Sequence, residues 1–539
     1  MTPFESIYGI PPPRPVAYKL ALPPGSQVHD VFRVRLFKKH LGPITPTSTQ
    51  LPPVSETSTI LPQPEAILNR RVIRKGKYHP KSEILVKWRN PRCNGRLPPG
   101  SLGLPIIGET LHFFKPNTSN DIPPFVKKRV ERYGPIFKTS LVGRPIVVST
   151  DHELNNFVFL QEGKLFESWY PETFTEIFGR DNVGSLHGFM YKYLKSLVLK
   201  LFGPESLREK LLSDVEKSAS MSLSSWSGLS SIELKDGIST MIFNLTAKKL
   251  ISYDASKSKE NLKDSFVAFI AGLISFPVNI PGTAYNKCLQ GRNKAMKVLK
   301  DLLTERKHSP NRQCIDFFDF VIEELKKEKP VLTESIALDL MFVLLFASFE
   351  TTSLAMTLAM KLLADHPKVL EELTLEHEAI LRNRENPDSG ITWQEYKSMN
   401  FTFQVIHETA RLANIVPGIF RKALKDIQVN GFTIPAGWGV MVCPPAVHLN
   451  PEIYEDPLSF NPWRWKGKSE LSGGSKNFMA FGGGMRFCVG TDFTKLQMAV
   501  FLHCLVTKYR WKPIKGGNII RTPGLGFPDG YHVQIIPKE

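Results

Sequence analysis

A mainly α-helical fold with small β-sheets is what this 539-residue sequence predicts. Three observations carry that prediction. From Pro171 to Glu328 apolar residues recur at helical spacing, as in Leu207–Leu223 and Ala295–Leu303. Thr333 then stands where an N-cap is needed, ahead of an apolar run that continues to about Ala364, short of Pro367. The β signals are short. Phe137–Leu141 and Pro145–Ser149 flank Val142-Gly143-Arg144 as a hairpin, and an Asn-Gly turn at Val429-Asn430-Gly431-Phe432 marks a β-rich insert after the helical half.

Composition narrows the class. The length suits one large domain plus something smaller, and 42% hydrophobic with 22% charged residues is ordinary for a globular protein. The six cysteines (Cys93, Cys288, Cys314, Cys443, Cys488 and Cys504) are scattered and form no CxxC pair. That argues against a secreted disulfide framework and for a reducing compartment. No signal peptide is visible. The most apolar stretches, Leu340–Ala347 and Phe266–Ile274, are too short to span a bilayer, so no transmembrane anchor is expected. There is no Walker loop, and Gly482-Gly483-Gly484 follows no βα pattern, which argues against a dinucleotide site.

The first 95 residues read differently from the rest. They hold 15 of the 42 prolines and 15 Lys/Arg against 5 Asp/Glu, a net of +10 out of +18. Leu41 to Pro64, rich in Pro, Ser and Thr, is expected to be a disordered linker. Around it, Val31–Leu36 alternates like a strand, and Val72–Gly76 leading to Ile84–Trp88 reads as a small hairpin. At Arg96 the text changes to a proline- and glycine-punctuated entry, Leu97-Pro98-Pro99-Gly100. Two segments follow from this: a largely disordered basic segment, 1–95, and a folded domain, 96–539.

Chemistry is concentrated in Phe481-Gly482-Gly483-Gly484-Met485-Arg486-Phe487-Cys488-Val489-Gly490. One cysteine among glycines has no second thiol for a zinc knuckle. It suits a metal that takes its other ligands elsewhere, and haem iron is the clear case. A lone cysteine in a glycine turn is more often a buried structural residue, and it is the spacing that weighs against this. F-x-x-G-x-R-x-C-x-G resembles the haem-binding loop of the cytochrome P450 family. The resemblance implies a cytochrome P450 fold, with haem between a long distal helix and a proximal cysteine loop. Cys488 is then the axial ligand, Phe481, Gly482 and Gly490 shape the loop, and Arg486 meets a propionate. The helix after the loop turns its N-terminal dipole toward the thiolate.

Three further motifs occur in the family's order. Phe346-Ala347-Ser348-Phe349-Glu350-Thr351-Thr352 resembles the A/G-G-x-D/E-T-T motif, with Ser348 replacing glycine. Read alone, Glu350 pairs with some cation and the threonines bond back to i−4 carbonyls. Read through the resemblance, Ala347 and Ser348 leave a groove for dioxygen, Thr351 hands on a proton, and Glu350 supplies protons from solvent. Glu408 and Arg411, at i and i+3, would ordinarily be a surface pair. In the family the E-x-x-R helix joins a P-x-R arginine, here Arg464, in a buried structural cluster. Pro417 and Arg421 match a strand whose arginine contacts a propionate. The third-helix Trp/His and Arg, which in the family hold the other propionate, correspond to His187 and Tyr191. His187 is therefore expected as a propionate contact or a satisfied histidine and not an axial ligand, the usual arginine is missing, and neighbouring Lys192 offers a point charge in place of a fork. Ser275 to Thr283 breaks an apolar helical run and reads equally as a buried interhelical loop or as an access lid.

The resemblance covers about residues 96–537 and implies a haem-thiolate monooxygenase acting on a small hydrophobic substrate. The entry hinge and Pro281-Gly282-Thr283 look like plant members of the clan that oxidises sterols, brassinosteroids and triterpenoids. Implied partners are O2 and an NADPH-cytochrome P450 reductase, NADPH entering only through the reductase, with Lys476 among the basic residues that would steer it. The implied location is the cytosolic face of the endoplasmic reticulum membrane; with no anchor expected, a cytoplasmic or peripheral location is the alternative. Some haem-thiolate relatives rearrange peroxides without a reductase, but those tend to lose the acid–Thr pair. Val31–Gly42 and Ile67–Trp88 resemble the end of a Ty3/gypsy-type retrotransposon polyprotein with a truncated chromodomain-like barrel. That leaves two alternatives, an inactive fusion product or a chromatin- or nucleic-acid-binding protein led by residues 1–95; the truncated barrel disfavours a nucleic-acid role.

Overall fold

The computed structural model describes residues 95–538 except 106, 259–260, 274, 276, 310–314, 387–388 and 468–474, together with the backbone of four strands before residue 95. The chain divides into two compact units: Met1–Leu97 with Gly431–Thr433, and Pro98–Asn430 with Ile434–Glu539. In the first, Ala17–Lys19 pairs antiparallel with Val31–Arg33, and Pro64–Ile73 pairs antiparallel with Lys81–Trp88. The hairpin expected from Val72 onward is present and longer than its sequence signal. The disorder expected from residue 41 falls on residues 41–63, which lie outside the described residues.

The second unit is built on the helix Glu334–Asp365. Thr333 caps it, its side chain accepting from the Ile336 N–H at 3.2 Å. The helix is apolar on every side, and both of its halves are buried. An all-round apolar helix needs neighbours all round. It packs against Leu234–Ile251, Asn400–Ala413 and Ala284–Lys307 within one large hydrophobic core. Among the described residues it is the one helix long and apolar enough to cross a membrane, but 67% of that window lies inside the protein.

The main sheet has five strands in the order Ile136–Leu141, Arg144–Ser149, Gly439–Val442, Ile419–Ala423 and Phe166–Ser168. All pairings are antiparallel except that of Gly439–Val442 with Arg144–Ser149. The expected hairpin forms, and Val142 and Gly143 at its tip take φ of 51° and 71°, the left-handed pair that a two-residue turn requires. The register sets Arg421 opposite Ser168 on one side and Val440 on the other. Pro277–Gly282 is exposed, Val278 by 42% and Ile280 by 58%, which corrects the buried-loop reading of this segment.

Candidate active site

The cysteine loop is closed by its own backbone, Cys488 N–H donating to Phe481 O at 3.0 Å. Gly482 and Gly484 take φ of 76° and 62°. A Cβ on Gly483 would stand 2.5 Å from Phe159 Cδ2, and one on Gly484 would stand 2.3 Å from Phe159 O. The glycines thus let the loop lie directly on the helix His152–Leu160. Gly490 precedes the helix Thr491–Lys508, whose first turn faces the thiol. Cys488 is exposed, yet enough protein surrounds it that desolvation raises its thiol above the ordinary value. Both are true of a sulfur lining an interior cleft. The Gly490 N–H, the Thr491 side chain and the Lys195 ammonium act in the opposite direction.

Two arginines converge beside the loop on a residue the sequence did not single out. Glu162 lies 2.7 Å from Arg421 Nε and accepts from Arg486 Nε at 3.0 Å. The Arg421 contact is a charge pair whose angles fall outside hydrogen-bond geometry. Glu162 also accepts the Ser168 N–H at 3.1 Å, so the strand register that puts Ser168 beside Arg421 brings the carboxylate with it. Arg486 donates further to Val183 O, Leu186 O and His187 Nδ1, and its guanidinium sits 3.9 Å from the centre of the Tyr191 ring. Burial lowers the His187 pKa, so the ring is neutral and accepts from Arg486.

The helix Gly188–Phe202 also corrects the expectation for Lys192, which is exposed. Lys195 reaches the loop instead, donating to Met485 O at 3.0 Å and to Phe487 O at 3.4 Å, while the Tyr191 hydroxyl stands 3.4 Å from Met485 O. The signal was in the sequence: Tyr191 and Lys195 are four residues apart, on one helical face, and Lys192 is not on it. Glu162 had no such signal, because its partners lie hundreds of residues away.

On the central helix, Ala347 is exposed and Ser348 and Thr351 are half-buried, so this face opens on a cleft. Ser348 Oγ bonds back to Leu345 O at 3.0 Å and Thr351 Oγ1 to Ala347 O at 3.2 Å. Glu350 accepts from Lys235 Nζ at 2.8 Å, which names the cation the sequence left open. Thr352 and Thr494 hydroxyls meet at 3.3 Å, tying this helix to the one that follows Cys488.

Behind the loop, Glu408 and Arg411 are fully buried. Glu408 accepts two bonds from Arg411 at 2.9 and 2.8 Å, one from Arg464 Nε at 2.9 Å, one from Trp465 Nε1 at 2.9 Å and one from the Asn461 N–H at 3.1 Å. Arg411 extends the cluster to His448 O, Pro457 O and Ser459 O. His448 Nε2 accepts from the Met479 N–H at 3.0 Å, two residues before Phe481. The cluster therefore reaches the cysteine loop through one histidine. Lys476, expected to steer a partner, is paired with Glu153.

These residues fit a flat, dianionic macrocycle that brings its own metal ligands. They supply one open thiol, two guanidiniums (Arg421 buried and with a terminal nitrogen without a bond among the described residues, Arg486 partly buried), and glycines whose missing side chains let backbone close in. Among the described residues no group of three His, Cys, Asp or Glu side chains is placed to hold a bare metal ion.

The family model described as Cytochrome P450 matches residues 98–528. The chain is 69% identical over 454 residues to rice (Oryza sativa subsp. japonica) Cytochrome P450 87A3, covering 84% of this chain and 88% of that protein. It is 45% identical to cucurbitadienol 11-hydroxylase of Siraitia grosvenorii (84% and 96% covered) and 43% identical to beta-amyrin 16-alpha-hydroxylase CYP87D16 of Maesa lanceolata (85% and 96%). Among solved structures, retinoic acid bound cyanobacterial CYP120A1 superposes with a TM-score of 0.74 at 27% identity, over 83% of this chain and all of that one.

Proposed function

The chain belongs to the cytochrome P450 family, and on that premise we propose that its substrate is a triterpenoid or sterol hydroxylated at a ring or side-chain carbon. The enzyme is a haem monooxygenase of a hydrophobic substrate, with dioxygen as oxidant and electrons from a redox partner. Haem, when bound, supplies oxygen activation, one atom entering a C–H bond and the other leaving as water. Cys488 would hold the haem iron through its sulfur. Arg421 and Arg486 would hold the carboxylates, with His187 beside them, and Phe481, Gly482 and Gly490 shape the loop. Thr351 holds a proton at its hydroxyl over the cleft, and Glu350 exchanges protons with solvent beside Lys235. Glu408, Arg411 and Arg464 keep the loop in register. The observation that carries this reading is the open Cys488 thiol in a loop on which the buried Arg421, the partly buried Arg486 and a helix N-terminus converge. The hydroxylase relatives that act on cucurbitadienol and beta-amyrin support the substrate class.

The expected electron donor is NADPH-cytochrome P450 reductase, at the cytosolic face of the endoplasmic reticulum. The exposed Val278 and Ile280 would give peripheral membrane contact. Residues 1–95 are a fused retroelement-like segment with no part in the chemistry. Their basic, proline-rich composition supports this, and sequencing of full-length transcripts tests it. The function is tested by the carbon monoxide difference spectrum of the reduced protein, wild type and Cys488→Ala, followed by incubation with a triterpenoid and sterol panel plus reductase. A thiolate-type band lost in Cys488→Ala and a hydroxylated product support the reading. Absence of haem uptake by the wild type refutes it.

A further inference from the structure

We propose that Lys195 is a positioning residue that also sets the charge behind Cys488, holding the loop by two carbonyls and stabilising electron density on the thiolate side of the haem. Its ammonium bonds Met485 O and Phe487 O, the carbonyls on either side of Arg486. Phe487 is the residue immediately before the cysteine. The ammonium is half-buried, and among the described residues no carboxylate pairs with it. A cation that has given up water without gaining an anion is costly. Cys488 is near enough to interact electrostatically with this ammonium, and as a haem-bound thiolate it would supply the missing counterpart.

The inference rests on Cys488 being the haem ligand. Removing a nearby positive charge disfavours reduction of the iron, and comparing glutamine with methionine separates that charge from the hydrogen bonds, which also tune the site. The haem-loaded full-length protein is titrated potentiometrically as wild type, Lys195→Gln, Lys195→Met and Lys195→Arg. Glutamine keeps a donor for the carbonyls without the charge, and arginine keeps the charge. The expected result is a lowered ferric–ferrous midpoint in Gln and Met, by about tenfold in the equilibrium or about 59 mV for one electron, with recovery in Arg. The thiolate-type carbon monoxide band should decay faster in Met than in Gln. Wild-type potentials in Gln and Met overturn the assignment. Should Met fail to take up haem, equal potentials in Gln and Arg overturn it instead. A wild type lacking a thiolate-type band refutes the haem reading itself.

Discussion

Replacing Glu408 by alanine should destabilise the protein by about 3–5 kcal/mol, the cost of removing one partner from a buried ion pair. The carboxylate receives five hydrogen bonds, three from guanidinium groups. Arg411 is fully buried and would keep its bonds to three carbonyls, but no counter-charge would remain. Trp465 Nε1 and the Asn461 N–H would lose their acceptor inside the fold, each adding about 1 kcal/mol or more. Glu408→Gln keeps the shape and one acceptor oxygen, so its loss should be smaller, about 2 kcal/mol. Urea unfolding of the haem-loaded protein, followed by tryptophan fluorescence, measures both. Arg464→Ala in the Glu408→Ala background should add little, because the two share one interaction. A loss below about 1 kcal/mol for Glu408→Ala, the value of an exposed pair, would refute the reasoning.

Other perturbations follow from the same geometry. Glu350→Gln should lower turnover by about a hundredfold and enlarge the solvent isotope effect, with Lys235→Met affecting both less; wild-type turnover in Glu350→Gln would remove it from proton supply. Gly484→Ala should abolish haem uptake, since its Cβ meets the Phe159 carbonyl at 2.3 Å and its φ is 62°; absorbance at the Soret band per protein reads this directly. Burial holds His377 and His448 down to about 3 and His503 to about 4. Such groups stay neutral in the fold while the unfolded chain takes up protons below its ordinary value of about 6.5. Each contributes stability that is complete above that value and falls by up to about 1.4 kcal/mol per pH unit, until the folded pKa is passed. Unfolding midpoints at pH 7, 6 and 5 should therefore drop progressively, and a flat series would contradict the assignment. His448 ties this loss to the loop: Nδ1 faces Asn414 Oδ1 at 2.8 Å, so Nε2 must stay unprotonated to accept from Met479.

Patterns local in the chain are legible in the sequence itself. The cap at Thr333, the apolar run behind it and the turn at Val142-Gly143 are set by backbone preferences within a few residues, and helix and hairpin form where those preferences point. The spacing around Cys488 is readable through its family resemblance, and the part of it that local preference explains is the glycines, which the close approach to Phe159 requires. Glu408, Arg411 and Arg464 were nameable only through family resemblance; their meeting depends on a chain that runs more than fifty residues before returning. What the tertiary structure alone decided is who balances whose charge. Glu162 meets Arg486 across 324 residues, Lys235 meets Glu350 across 115, and Lys195 reaches a loop 290 residues away. No local preference encodes such pairs, since they arise when packed elements leave a buried charge with one neighbour near enough to answer it.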